Sequence, residues 1–372
     1  MGIARRAFLA GLAAAGGATL LRPHRASAQQ GTRRYKAPVI DAHVHWYPPA
    51  FGELIEKEGA ANGVTQIGRT KDGEIAAKIP GEHPYSGGGG VATFRRNMTD
   101  SELILKMADE RDVDITVMTQ TNPHILWAPP AFGAKLAQAI NDGNSALHVK
   151  YPKRFLGTIT LPMQDVPLAL KELERARKLP GMPAVNMTEN ILGKNLSDKS
   201  FWPVWERCEA LGLPLFLKNV DPISERLVEK DFSMMNVLGN PFEATIAATS
   251  LMLGGVLDAF PKLDVYLPHA GGFFAFVAPR IDFAMQQGMF KHMKQPASAY
   301  LRRFHYDLIL HSPKLTRTLI DQVGADRVVS GTDFPQAMAI RKPIDYVEAI
   351  PGITRRECEM ILCENPARLL KL

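Results

Sequence analysis

The chain has little cysteine: Cys208, Cys358 and Cys363 are three among 372 residues, and no two form a C-x-x-C pair. An odd number at these spacings argues against a disulfide framework and a thiolate zinc site, leaving the three as packing residues. A strong excess of one charge is also missing. The formal net charge is +6, and four of those charges are Arg5, Arg6, Arg22 and Arg25 in the first 28 residues, which hold no acid. Beyond them no basic patch interleaved with aromatics remains, so nucleic acid is not an expected partner. No apolar run past residue 28 is long and unbroken enough to span a bilayer. No glycine-rich phosphate loop follows the first strand-like run, where the chain reads WYPPAF, which argues against an open dinucleotide-binding sheet.

What is present begins at the N-terminus. MGIARRAFLAGLAAAGGATLLRPHRASA joins the pair Arg5-Arg6 to an Ala/Gly/Leu-rich run and an Ala26-Ser27-Ala28 cleavage site. It resembles a twin-arginine signal over residues 1–28, so the mature chain, 29–372, is expected in the periplasm with no membrane contact. With 46% hydrophobic and 22% charged residues, that mature chain reads as one globular domain.

From residue 39 onwards, short β-rich runs alternate with helix-like stretches. Eight runs read as strands: 39–45, 115–120, 155–161, 184–188, 213–218, 264–269, 304–310 and 327–333. The clearest helices are SELILKMADER, AFGAKLAQAINDGNSALHVK, FWPVWERCEALG, EATIAATSLMLGGVLDAF and PKLTRTLIDQVG. Eight such units predict an α/β protein of the (β/α)8 TIM barrel class. The stretch from about 46 to 100 carries Pro48-Pro49, the run Gly87 to Gly90 and little periodicity. It reads as a long loop inserted after strand 1 to cap the barrel mouth.

Strand one, VIDAHVH, carries the chemistry. Alternation puts Asp41, His43 and His45 on one face, with both histidines at the carboxyl end, where barrel enzymes build their sites. Two imidazoles on one rigid strand can grip a divalent metal from one side, and further ligands must come from other strand ends. His269, closing DVYLPH, and Asp333, closing RVVSGTD, stand at such ends.

His43-x-His45 followed by Pro48-Pro49, LPHAGG, GTDFP and the terminal ENPARLL together resemble the amidohydrolase superfamily. The nearer likeness is the branch that contains aminocarboxymuconate semialdehyde decarboxylase, γ-resorcylate decarboxylase and related aromatic-acid decarboxylases and hydratases. FWPVWERCEALGLPLFL and TSLMLGGVLDAFPKLDVYLPHAGG extend it over almost all of the mature chain. The resemblance implies metal ligands at His43, His45 and Asp333 and a catalytic acid/base at His269. It implies zinc, with manganese as the alternative, a small-molecule substrate and a homodimer. The branch also has a histidine ending strand five, and here that strand reads LPLFLKNVDP with Lys218 in its place.

Four readings of that departure stay open. Lys218 is a neutral amine ligand, a carboxylated oxygen ligand, or an ammonium that replaces the metal, or else the register slips and Asn219 faces inward. Candidate substrate contacts are Trp46, His124, Asn186 and the Arg95-Arg96 pair, which has the fork geometry to clamp a carboxylate. His305 reads as structural, while Asp307 and His311 lie nearer the mouth without an assigned role. The expected function is decarboxylation or hydrolysis of a small carboxylated or cyclic compound, with His269, Asp333 and Lys218 as catalytic residues. The alternatives are a metal-free lactonase-like hydrolase using Lys218 and an inactive periplasmic binding protein.

Overall fold

The computed structural model describes residues 34–80, 91–218 and 233–372. The expected export signal at 1–28, the run 81–90 and Asn219 lie outside the described residues. Backbone contacts separate Met1–Lys36 from a second unit, Ala37–Leu372, and the fold described is that of the second unit.

The apolar runs become strands of that unit. In chain order they are β1 (Ile40–His45), β2 (Gln66–Arg69), β3 (Ile75–Lys78), β4 (Ala92–Thr93), β5 (Ile115–Thr119), β6 (Phe155–Thr160), β7 (Ala184–Thr188), β8 (Asn190–Ile191), β9 (Lys194–Asn195), β10 (Leu215–Lys218), β11 (Val265–Leu267) and β12 (Phe304–Tyr306). Seven of them form a parallel sheet in the order β1-β5-β6-β7-β10-β11-β12. Helices connect the neighbours, as parallel pairing requires. Three end or start as their sequences predict: Asp100 caps Ser101–Asp109 by accepting from the amides of Glu102 and Leu103, Gly212 ends Trp202–Leu211 at φ +61°, and Ser312 caps Pro313–Val323.

The eighth predicted strand, 327–333, is not a continuous strand. It fills the eighth place all the same. Val329 N–H donates to the Tyr306 carbonyl (2.8 Å) on one side, while Ala42 N–H donates to Ser330 (2.8 Å) and Asp333 N–H to His43 (2.9 Å) on the other. Isolated parallel bridges, Tyr306 to Val328 and Val44 to Phe334, complete the closure of a (β/α)8 barrel. At its end Asp333 takes a left-handed φ of +65°.

Inside the barrel, Ile40, Ala42, Val117, Leu156, Ala184, Phe216, Tyr266 and Val329 pack together, with Leu369 and Leu370 of the C-terminal segment against them. Phe216 and Tyr266 stack at 4.5 Å between ring centres. This apolar layer is the floor of the barrel, and side chains two residues further along each strand stand above it.

The described residues of the stretch 46–100 carry regular elements where a long loop is expected. They contain a helix, Pro49–Glu58, and an antiparallel sheet in the order β2-β3-β4. Tyr47, Phe51, Ile55, Val64, Ala77, Ile79, Phe94 and Met98 make a core shared with Phe132, Leu136 and Ile140 of the helix Pro130–Lys150. Phe51 stacks on Tyr47, and Phe94 meets both edge-on. Burying each of these aromatic rings contributes about 2 kcal/mol, enough to hold short strands that carry little periodic signal of their own.

Candidate active site at the barrel mouth

The first step in building the site is a fault in β1. Asp41 pairs with Thr116 and Val44 with Met118, so three steps along β1 match two along β5 and one residue is extra. The bulge changes which face each residue takes. Ile40 and Ala42 belong to the interior layer, whereas Val44 packs outside with Met118, Phe155 and Phe334. Asp41 therefore does not share the histidines' face. Its carboxylate accepts from Arg111 Nη1 (2.9 Å) and Thr332 Oγ1 (2.6 Å), and Arg111 stacks over the Phe334 ring at 4.0 Å. That clamp ties β1 to the closing segment beneath the site.

His43 and His45 turn inward and meet Asp333. One carboxylate oxygen, Asp333 Oδ1, lies 3.3 Å from His43 Nε2 and 2.6 Å from His45 Nε2. Each of the three residues offers a ligand atom within 4.8 Å of the other two. A cation bound at the roughly 2.0–2.2 Å usual for imidazole and carboxylate ligands suits that span. The two rings stand edge to face with centres 5.0 Å apart, and His269 is 6.1 Å from His43.

Asp307, which the sequence left without a role, organises this cluster. Its Oδ2 accepts from His43 Nδ1 (3.0 Å) and from the His269 amide (3.0 Å), and its Oδ1 accepts from the amides of Ala270 (2.7 Å) and Ile309 (3.0 Å). The bond to Nδ1 fixes the His43 tautomer so that the Nε2 lone pair faces Asp333. The two amide bonds hold His269 and Ala270 in left-handed backbone at φ +51° and +52°. Gly331 leaves room for this packing. A Cβ there would come within 2.2 Å of the Tyr266 hydroxyl and 3.0 Å of the Cβ atoms of His43 and Asp307.

Burial sets the charges. It lowers His45 and His269 to about 4, and the pull of Asp333 recovers only part of that, so both rings rest neutral. Burial works the other way on Asp333, but its contacts with the His43 and His45 ring nitrogens outweigh it and hold the carboxylate well below its ordinary range. Lys218 ends β10 at 1% exposure, and burial brings it to about 7 against the attraction of Asp307, Asp333, Asp41 and Glu189. Its Nζ has no hydrogen-bond partner among the described residues.

The predicted contacts fare differently. Asn186 faces inward on β7, two residues beyond Ala184 of the floor, and both its amide atoms lack partners among the described residues. Trp46 packs outside the barrel with Val44, Ile104 and Met118. Arg95 reaches Gln336 Oε1 at 3.3 Å, three residues past Asp333, while Arg96 is taken up by Asp100 at 2.9 Å and does not join it. His305 bonds Asp264 at 3.4 Å, in keeping with a structural role. Alternation alone marks neither Glu189 nor Tyr266 as a site residue, and it gives Asp307 a place near the mouth without a role. A charged residue inside an apolar run, as in FHYDLIL, was the available sign for Asp307.

His124 lies buried in the segment after β5 with neither ring nitrogen bonded among the described residues, and burial lowers it to about 3. An imidazole kept neutral in the fold and free to protonate when unfolded gives its full stability above about pH 6.5 and loses it as pH falls towards 3. The expected loss at His124 is on the order of 3 kcal/mol by pH 4. Urea denaturation from pH 7 to pH 4 reads it, and His124→Leu is expected to make the dependence shallower by about that amount, leaving the part that His45 and His269 contribute. An equally steep dependence in that variant would contradict the assignment.

Comparison with known proteins gives the same architecture. The 2-amino-3-carboxymuconate-6-semialdehyde decarboxylase of Dictyostelium discoideum is 28% identical over 338 residues, covering 90% of this chain and 91% of that protein. The apo structure of Metarhizium anisopliae IDCase superposes with a TM-score of 0.76 at 22% identity, over 90% of this chain and 97% of that one. A dihydroxybenzoic acid decarboxylase from Polaromonas sp., solved with bound manganese and an inhibitor, gives 0.69 at 22% identity over the same shares. The amidohydrolase family model matches residues 40–372, and the chain belongs to that family.

Proposed function

We propose that the protein is a divalent-metal-dependent carboxy-lyase that releases the carboxyl group of a small carboxylated aromatic or related cyclic acid as carbon dioxide. The observation that carries this reading is the convergence of His43, His45 and Asp333, with the neutral His269 ring beside them. The decarboxylase relatives supply the reaction class. His43, His45 and Asp333 would hold the cation, which when bound supplies a positive charge to fix a substrate oxygen and stabilise the electron-rich state left by departing carbon dioxide. Zinc suits the donor set, and the manganese of the Polaromonas relative makes that ion the first to test.

The chain's own residues do the rest. Asp307 holds His43 in one tautomer and sets the backbone that aims His269. Loss of carbon dioxide from a carboxylate leaves a carbon that must gain one proton. His269 rests neutral, takes up a proton as the anionic substrate enters, and gives it to that carbon; an imidazole with so low a resting affinity is a strong acid once protonated. The Arg95 side chain near Gln336 is placed to meet an anionic group at the rim. Export by the twin-arginine route, residence in the periplasm and a homodimer belong to the same reading.

The test is release of labelled carbon dioxide from carboxyl-labelled aromatic acids by manganese-loaded protein. One labelled carbon dioxide per substrate consumed, lost on chelation, is the expected result. Consumption with a hydrolysed product and no carbon dioxide would turn the reading to hydrolysis.

A further inference from the structure

The sector of the mouth formed by β7 and β10 has no part in the chemistry above. In the closed order of strands these two lie across the barrel from β1 and the closing segment. Phe216 faces the interior, so Lys218, two residues on, does too, and its Nζ sits 5.8 Å from the Tyr266 ring centre. Glu189 follows β7 directly and is 2% exposed. Its amide donates to the Lys218 carbonyl at 3.1 Å, which ties the two residues together at the backbone. Both Glu189 oxygens and the Lys218 Nζ lack hydrogen-bond partners among the described residues, although each side chain lies in the other's field. A buried acid and a buried amine left unbonded are costly, and such atoms call for a group that completes them.

We infer that Glu189 and Lys218 form a specificity pair that binds a hydroxyl substituent of the substrate, on the side of the ring away from the carboxylate that leaves. The chemistry of the pair selects that group. Burial and the nearby Glu243 favour the proton on Glu189, while Lys218 favours its release. A carboxyl group and an amine, both unbonded among the described residues, together present at least one donor and one acceptor. A hydroxyl both donates and accepts, so it satisfies both partners. A second carboxylate would bring a buried charge and no donor for the Glu189 oxygens, and a methyl group would leave both partners unbonded. The inward-facing Asn186 amide, with both atoms unbonded among the described residues, adds another donor and acceptor to the same sector. The inference rests on the carboxy-lyase reading only for the orientation of the substrate.

Isothermal titration of the protein as purified, with benzoate and with 2-, 3- and 4-hydroxybenzoate, tests it without turnover. At least one hydroxybenzoate is expected to bind about 10-fold tighter than benzoate, the ordinary worth of a hydrogen bond to a charged group. In Glu189→Gln/Lys218→Met, which strands neither charge, that advantage is expected to fall below about 3-fold while benzoate binding is kept. Should the double variant fail to fold, the same comparison in the isosteric Glu189→Gln is expected to shrink the advantage by about 3-fold. Equal binding of all four probes, binding of none, or an advantage kept in the variants overturns the inference. Carbon dioxide release without a hydroxyl advantage overturns the pair alone, whereas a hydroxyl advantage without carbon dioxide release overturns the carboxy-lyase reading alone.

Discussion

Replacing Asp333 by asparagine is expected to reduce retained divalent metal roughly 10- to 100-fold and carbon dioxide release by about three orders of magnitude. The substitution removes one negative charge and almost nothing else. Asparagine is among the few residues at ease in left-handed backbone, so the φ of +65° at this position is preserved. The Asp333 amide can still donate to the His43 carbonyl, and the barrel closure stands. What goes is the carboxylate that lies against both His43 Nε2 and His45 Nε2. An inactive binding protein would lose no turnover, because it has none. Metal analysis and labelled carbon dioxide release on folded protein check the result, and unchanged release would remove Asp333 from the chemistry.

The second large effect is expected at Asp307, through position rather than contact with the metal. In Asp307→Ala four donors lose their acceptor at once: His43 Nδ1 and the amides of His269, Ala270 and Ile309. Each buried donor left unbonded costs about 1–3 kcal/mol, so stability is expected to fall by about 3 kcal/mol or more. Asp307→Asn separates stability from tautomer. One amide oxygen still accepts from backbone, so most of the fold survives, but the carboxylate that orients His43 is gone. Urea melts are expected to place Asn between Asp and Ala, with metal retention lost in both variants. Full metal retention in Asp307→Asn would show that His43 needs no such partner.

Much of this molecule can be read from its sequence, and the parts that cannot have physical reasons. The interior strands are apolar runs because both faces of a parallel sheet are buried, so their places follow from composition alone. The phase of β1 does not follow. Alternation puts Asp41 with the histidines, and only the bulge, set by pairing with β5, sends its carboxylate to Arg111 and Thr332 instead. The lobe over residues 46–100 is hidden for a related reason: β4 is only two residues long, and its Ala92 is held by packing from Phe94 to Leu136 rather than by any local pattern. His43, His45, His269 and Asp333 stand out as polar residues at strand ends. Glu189 does not, since its meaning depends on Lys218, which meets it only through the pairing of β7 with β10.

Because Lys218 rather than a histidine ends β10, metal content is the measurement on which the metal-dependent chemistry turns. A dication held by His43, His45 and Asp333 would share the barrel mouth with Lys218, which burial brings to about 7 so that it readily gives up its proton beside the ion, while Asp307 and Asp333 supply negative charge. Plasma mass spectrometry on protein purified without chelator, beside Lys218→His, decides it. About one equivalent of manganese or zinc is expected in the natural chain. An empty natural chain beside a metal-filled Lys218→His variant would contradict it and leave Lys218 as the cation that takes the metal's place.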